Sequence, residues 1–414
     1  MRKPNLTTMF GVLIALAITG LLLYQLPPIK QRLSWRIDFA MAYLRGVVRP
    51  VGEVPTALPQ PVVRVTSNPT PTEIAVQTSV PATATPQLPT ASPTPLPSSV
   101  SLSAPAWERQ DINNCGPASL AMYLRYYGWE GDQFDIAELL KPQREDRNVN
   151  VEELVYYVRT RAGWLNAIYR VGGDLTLLKK FLAAGIPVMI EETFYFADPF
   201  WPNDDLWAAH YNLVTGYDDG DQLFTGQDSF YGADQKIAYS KLEEYWKAFN
   251  YVYILVYPPE KEETVRAILG PDWDEKVNRQ RTLEAAQAAA NADPGSAFAW
   301  FNLGSNLVYF ERYNDAVTAF DRARAIGLPQ RMLRYQFTPF FAYFHTRRME
   351  ELFTLTEYAL KITPNAEEAM LWHGWANYRA GSTSAAISDF QAALRENPNY
   401  QDAIYALDFV RANP

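Results

Sequence analysis

The 414-residue chain contains one cysteine, Cys115, and three histidines, His210, His345 and His373. A single thiol excludes an intramolecular disulfide framework and any Cys-rich zinc or iron–sulfur site, because each needs several thiolates. Basic charge is in deficit: 37 Lys and Arg face 46 Asp and Glu, giving a net charge of -9. No global positive field exists to hold nucleic acid. Charge vanishes altogether between Pro4 and Ile29. Apolar matter is plentiful, since 48% hydrophobic and 14% aromatic content excludes a wholly disordered chain. At roughly 100–200 residues per domain, the length leaves room for two or three domains.

Residues 1–29 read as a signal anchor. Met9 to Leu26 is close to the ~20 apolar residues that cross a bilayer as a helix, Arg2 and Lys3 precede it, and no A-x-A cleavage pattern follows it. Residues 30–49 interleave Lys30, Arg32, Arg36, Arg45 and Arg49 with Leu33, Trp35, Ile37, Phe39, Met41, Tyr43 and Leu44, the pattern of a basic amphipathic helix on a membrane surface. Those cations pull against an outward C-terminal side. Residues 50–105 hold 13 of the chain's 30 prolines and few charges, the composition of a disordered linker. Fully extended at about 3.1 Å per residue, it would reach more than ~100 Å. A Pro/Thr stalk after an anchor favours placing the domains outside the cell membrane.

Residues 106–260 alternate helical and strand patterns. The spacing predicts helices over 116–127, 151–161, 175–184 and 241–249, and strands over 186–194, 210–217, 222–227 and 251–257. Helices precede strands, which favours an α+β domain. Residues 261–414 are helical with a repeat: Pro294, Pro329, Pro364 and Pro398 are spaced 35, 35 and 34 residues. Aligned on them, Ala316, Phe320 and Ala323 match Ala386, Phe390 and Ala393, and Gly374 matches Gly304. The middle unit departs, with Phe340 at the small position and Leu352 at an alanine. The whole resembles a tetratricopeptide repeat solenoid over residues 297–400, capped by a helix over 274–292.

Cys115 lies in Asn113-Asn114-Cys115-Gly116-Pro117-Ala118, where a proline in the first turn marks a helix start. The dipole and unpaired N–H groups there favour a thiolate and offer donors to an oxyanion. An inert buried thiol is the other reading of the same residues. His210 is the sole histidine of the domain and opens a strand that ends at the turn Asp218-Asp219-Gly220. A three-residue hairpin loop would set Tyr217 opposite Asp221 and hence His210 opposite Asp228, close enough for a carboxylate to orient an imidazole. A two-residue loop would turn Asp228 to the other face.

The NCGPASLAMYL run, the AHYNLVTGY strand and the Gln227-Asp228 strand end resemble the papain-like cysteine peptidases related to the double-glycine leader peptidases of bacteriocin exporters. The resemblance implies Cys115 as nucleophile, His210 as general base and then acid, Asp228 as orienter of the imidazole, and Gln110 with the Cys115 N–H as oxyanion hole. Asn113 or Asn114 is the alternative to Gln110. It implies no cofactor or metal. Nucleotide-binding and multi-span export regions are absent from the sequence, so leader-peptide export is not implied.

The expected whole is an N-terminal transmembrane helix, an α+β papain-like cysteine peptidase domain and an all-α tetratricopeptide-type solenoid. Its expected function is membrane-anchored hydrolysis of peptide bonds through a thioester acyl-enzyme. Peptide or protein substrates and a protein partner on the repeats are the expected ligands. The alternatives are a catalytically silent surface scaffold and a thiol amidase or transpeptidase acting on a non-protein amide. The aromatic loop 195–207 reads equally as a substrate wall or as packing on its own domain. Asp218, Asp219 and Asp221 read as turn residues with too few ligands for calcium.

Overall fold

The computed structural model describes residues 6–24, 27–58, 95–144 and 146–413. Two helices come first, α1 (Leu6–Tyr24) and α2 (Pro27–Val48). Among the described residues no helix is long and apolar enough to cross a membrane. The transmembrane helix expected within Pro4–Ile29 is therefore not supported. The uncharged stretch is divided, because a new helix starts at Pro27, and α1 alone rises about 28 Å at 1.5 Å per residue. Within the segment expected to be a linker, residues 50–58 lie against the C-terminal helices, burying Val51 and Val54. Residues 59–94 fall outside the described residues.

The central domain follows as β1 (Ser99–Ser101), α3 (Cys115–Tyr126), α4 (Gln133–Leu140), α5 (Val151–Arg161), β2 (Asn166–Arg170), α6 (Leu175–Ala183), β3 (Val188–Tyr195), β4 (Trp207–Asp218), β5 (Leu223–Asp228), β6 (Gly232–Ala238), α7 (Tyr239–Trp246) and β7 (Tyr253–Tyr257). Three of these helices begin at side-chain caps: Asp132 and Asp135 form a capping box on α4, Asn150 and Glu153 on α5, and Asp174 accepts from the Leu177 amide on α6. The seven strands form one antiparallel sheet in the order β2-β7-β3-β4-β5-β6, and β1 pairs with the far half of β4. Strands buried on both faces explain the near-continuous apolar runs. Met189, Leu213, Ile254 and Val256 pack with α3 to α5, whereas Ile190, Val214, Leu255 and Tyr253 pack with α6 and α7. The short strands β1, β2 and β6 and the helix α4 were not apparent from periodicity.

The hairpin register differs from the expected one. Asp218 pairs with Leu223, so the loop has four residues, Asp219 to Gln222, and the left-handed residue is Gln222 (φ 55°). Asp218 Oδ1 accepts from the Gly220 and Asp221 amides and closes this turn from its first residue. Four loop residues alone would put Asp228 on the face opposite His210. A β-bulge at Thr215 restores the parity: Gly216 pairs with Thr225, but Val214 pairs with Gly226 and Asn212 with Asp228.

The C-terminal half comprises α8 (Glu262–Leu269), α9 (Glu275–Ala292), α10 (Ala297–Tyr309), α11 (Tyr313–Ile326), α12 (Met332–Tyr335), α13 (Thr338–His345), α14 (Met349–Ile362), α15 (Glu367–Arg379), α16 (Thr383–Glu396) and α17 (Gln401–Ala412). The pairs α10/α11, α13/α14 and α15/α16 are the repeats. Gly304 and Gly374 let the paired helices close: a Cβ on either would stand 2.5 Å from the Phe320 or Phe390 ring. In the middle unit the volumes are exchanged, with Phe340 at the glycine position and Thr356 at the phenylalanine position, both fully buried.

Candidate active site

Cys115 is the first residue of α3 and is partly buried. The loop before it is held by residues later in the chain. Gln133 Oε1 accepts from the Asp111 amide (2.7 Å) and from Asn114 Nδ2 (2.8 Å), while its Nε2 donates to Glu108 and to the Arg109 carbonyl. Arg144 grips Asp111 with two bonds. Asn113 takes a left-handed backbone (φ 54°), and its carbonyl accepts from the buried Lys141 ammonium at 2.9 Å. On the other side, Ser119 Oγ donates to the Tyr211 carbonyl, which seats the start of α3 on β4 beside His210.

His210 and Asp228 are 4% and 5% exposed, and His210 Nε2 lies 3.2 Å from Asp228 Oδ1. The two are diagonal across the β4–β5 ladder, a separation that an imidazole and a carboxylate bridge. Asp228 Oδ1 also accepts from the Phe230 and Tyr231 amides, which fixes the carboxylate, and its carbonyl accepts from Trp107 Nε1. With Nε2 engaged by Asp228, Nδ1 is the ring nitrogen left to face Cys115. Burial pushes the Cys115 thiol up, but the hydrogen bond and charge of His210 overcome it and hold the thiol below its ordinary value. Burial pushes His210 down, yet Asp228 and Cys115 raise it to about 10. Burial pushes Asp228 up, and His210 with the two amides holds it below the carboxylate range. All three shifts run in the direction that favours a thiolate–imidazolium pair backed by a carboxylate.

The structure thus brings Cys115, His210 and Asp228 together. Gln110 lies beside them, its amide bonded to the Ser229 carbonyl and its Oε1 accepting from Ser229 Oγ at 2.9 Å. Ser229 directly follows Asp228, so one strand end positions both the acid and the glutamine. Asn114, the alternative to Gln110, commits its Nδ2 to Gln133. Sequence reading missed Gln133, Lys141 and Arg144; only the α4 capping box gave a local signal.

Residues 101–254 match the family described as Peptidase_C39 like. This segment is a C39-like peptidase domain. It is joined to a tetratricopeptide-like helical region. Three solved structures illustrate the likeness, each by fold similarity only. A putative C39-like peptidase from Bacillus anthracis is 20% identical with a TM-score of 0.31, over 38% of this chain and 96% of that one. A double glycine motif protease from an AMS/PCAT transporter, in complex with the leader peptide, is 18% identical with a TM-score of 0.29, over 38% and 94%. YrrB, a TPR protein with an unusual peptide-binding site, is 21% identical with a TM-score of 0.29, over 33% and 69%. A comparison with curated proteins found no match.

The aromatic loop joins the C39-like domain to the repeats. Trp201 and Trp207 are buried: Trp201 Nε1 donates to Gln330, and Trp207 packs against Phe298 and Tyr335. Asp204 makes a fully buried ion pair with Arg331, whose guanidinium lies over the Trp201 ring. Phe194, Phe230 and Tyr231 stay near His210, with the Phe194 ring 5.3 Å from the imidazole. Asp219 is paired with Lys179. The repeat domain also reaches the nucleophile's loop, because Lys141 donates to the carbonyl of Asp146, which is hydrogen-bonded to Glu367 of α15.

Proposed function

We propose that the C39-like domain is an active cysteine peptidase that hydrolyses peptide bonds through a Cys115 thioester. The observation that carries this reading is the Cys115–His210–Asp228 set, with a depressed thiol at a helix start facing an elevated imidazole. The thiolate attacks the scissile carbonyl, and its electrons move onto the oxygen. First-turn amides of α3, starting with Cys115, and the Gln110 side chain are the donors for that oxyanion. His210, protonated, gives its proton to the leaving amine as the C–N bond breaks; it then takes one from the water that hydrolyses the thioester. Asp228 keeps the ring oriented and its charge compensated throughout.

Covalent labelling of Cys115 with a thiol-directed peptide-mimicking probe between pH 4 and 8 tests this. The unsubstituted chain should label far faster than a free thiol below pH 7, and His210→Ala should lose that advantage while Asp228→Asn retains part of it. Equal, slow labelling of all three would leave a scaffold with a peptidase fold. The same reading holds the protein at a membrane with both domains on the extracytoplasmic side. α1 supports it, carrying no charged residue and exposing Phe10, Val12, Leu16 and Leu22. A chain lacking residues 1–24 should then move from the membrane pellet to the soluble fraction.

A further inference from the structure

Between α11 and α14, the chain's own residues 50–58 occupy a seat built largely for main chain. Arg324 Nε donates to the Pro55 carbonyl (2.7 Å) and its Nη2 to the Thr56 carbonyl (2.9 Å). Glu351 Oε1 accepts from the Leu58 amide at 2.6 Å. Tyr358 donates to the Gly52 carbonyl (3.0 Å) and Lys361 to the Pro50 carbonyl (2.6 Å). Its buried side chains are Val51 and Val54, three residues apart, the spacing of one face of a polyproline-type chain.

The seat is preorganised. Arg324 is 2% exposed and bonds Glu351 Oε2 and the Tyr343 hydroxyl through Nη1, which fixes the guanidinium with Nε and Nη2 aimed at the segment. Arg348 bonds Asp321 and the other oxygen of Glu351, completing a buried network in which the peptide supplies two acceptors and one donor. Vacating it would strip a buried Arg–Glu pair of those three partners, which is costly unless another chain or water replaces them. A row of bonds to carbonyls and one amide, with two small apolar pockets, is chemistry that accepts any extended segment of similar shape.

We infer that this groove is a peptide-binding site for extended segments with small β-branched residues three apart, the second followed by proline, filled in cis by residues 50–58 and open to exchange with a partner's segment of that kind. The inference rests on the repeats being a peptide-binding region and is independent of peptidase activity. Exchange has a structural consequence. The segment continues directly from α2, where Gly46 packs so closely on Trp201 that a Cβ would come within 2.3 Å of it, and Phe39 lies 5.1 Å from Phe200. Displacing residues 50–58 would leave α2 held on the aromatic loop by these contacts alone.

The test uses the full chain carrying Cys115→Ala, so that no peptide is consumed, and a dye-labelled synthetic peptide spanning residues 49–59. In the chain as it stands the cis segment competes at an effective concentration of about 1 mM. Val51→Asp with Val54→Asp should empty the seat and improve binding of the added peptide at least ~10-fold. The same peptide with an N-methyl group at Leu58 cannot donate to Glu351 and should bind about 10-fold more weakly, a change that cannot unfold the protein. Failure of the emptied chain to bind at about 1 mM, with its circular dichroism unchanged, would overturn the inference. Equal binding of the methylated peptide would overturn it as well.

Discussion

At the scale of single residues, the candidate site separates two functions that mutation can tell apart. His210 and Asp228 set the charge on Cys115, whereas Gln110, held by Ser229, touches none of that charge chemistry and is placed to serve the oxyanion. Gln110→Ala should therefore lower kcat by about 10²–10³ on a peptide substrate while leaving the labelling rate of Cys115 by a simple alkylating agent unchanged. A fall in both rates would make Gln110 a support of the loop instead. The elevation of His210 to about 10 also has a sign for stability. Its contribution is full below the ordinary histidine value of ~6.5 and is lost as pH rises through about 10. Cys115 and His210 could be picked out of the sequence because cysteine and histidine are scarce in it; Asp228 was reached through the resemblance and through a hairpin register that differs from the observed one. Gln133 and Lys141 could not, since ordinary polar residues become supports of a loop only when a separate helix folds over it.

At the scale of elements, the existence of β3, β4, β5 and β7 was visible in the apolar runs and register was not. A turn of four residues in place of three and a bulge at Thr215 are two one-residue changes, and together they return Asp228 to the face of His210. Neither leaves a mark in hydrophobic periodicity, because both strands are buried on both faces. The repeats were easier to read, since proline spacing and the Gly304/Phe320 and Gly374/Phe390 pairs recur. Gly304→Ala should destabilise the repeats by about 1–3 kcal/mol in urea unfolding, as its Cβ would meet a ring with no room to retreat. Adding Phe320→Leu should recover part of that loss, since the middle repeat likewise sets a smaller residue, Thr356, against Phe340, and strictly additive effects would mean that the two positions do not share space.

At the scale of the whole molecule, the two domains meet through buried carboxyl groups that no sequence pattern announced. Asp146 and Glu153 come from the C39-like domain and Glu367 and Glu368 from α15, with Lys141, Tyr400, Asn148 and Asn150 around them. Burial raises all four, and Glu368, with Asp146 adding repulsion, reaches about 8. Docking thus favours the protonated form of each of these groups over the form it takes in the separated domains. Their stabilisation is therefore complete below the ordinary carboxylate range and fades as pH rises, that of Glu368 ending through about 8. The urea midpoint for loss of docking should fall between pH 5.5 and 8.5, and Glu368→Gln should flatten that fall; a midpoint indifferent to pH would show that the carboxyls stay ionised throughout. The seat of residues 50–58 has a consequence of another kind. Leu58 is bound to the repeats and Ser99 to the sheet, so both ends of the intervening chain are secured to one body. A protease nicking that stretch would sever the covalent link to α1 and α2 without releasing them. Detachment would then wait on the dissociation rate of a short bound segment, turning a permanent tether into a timer.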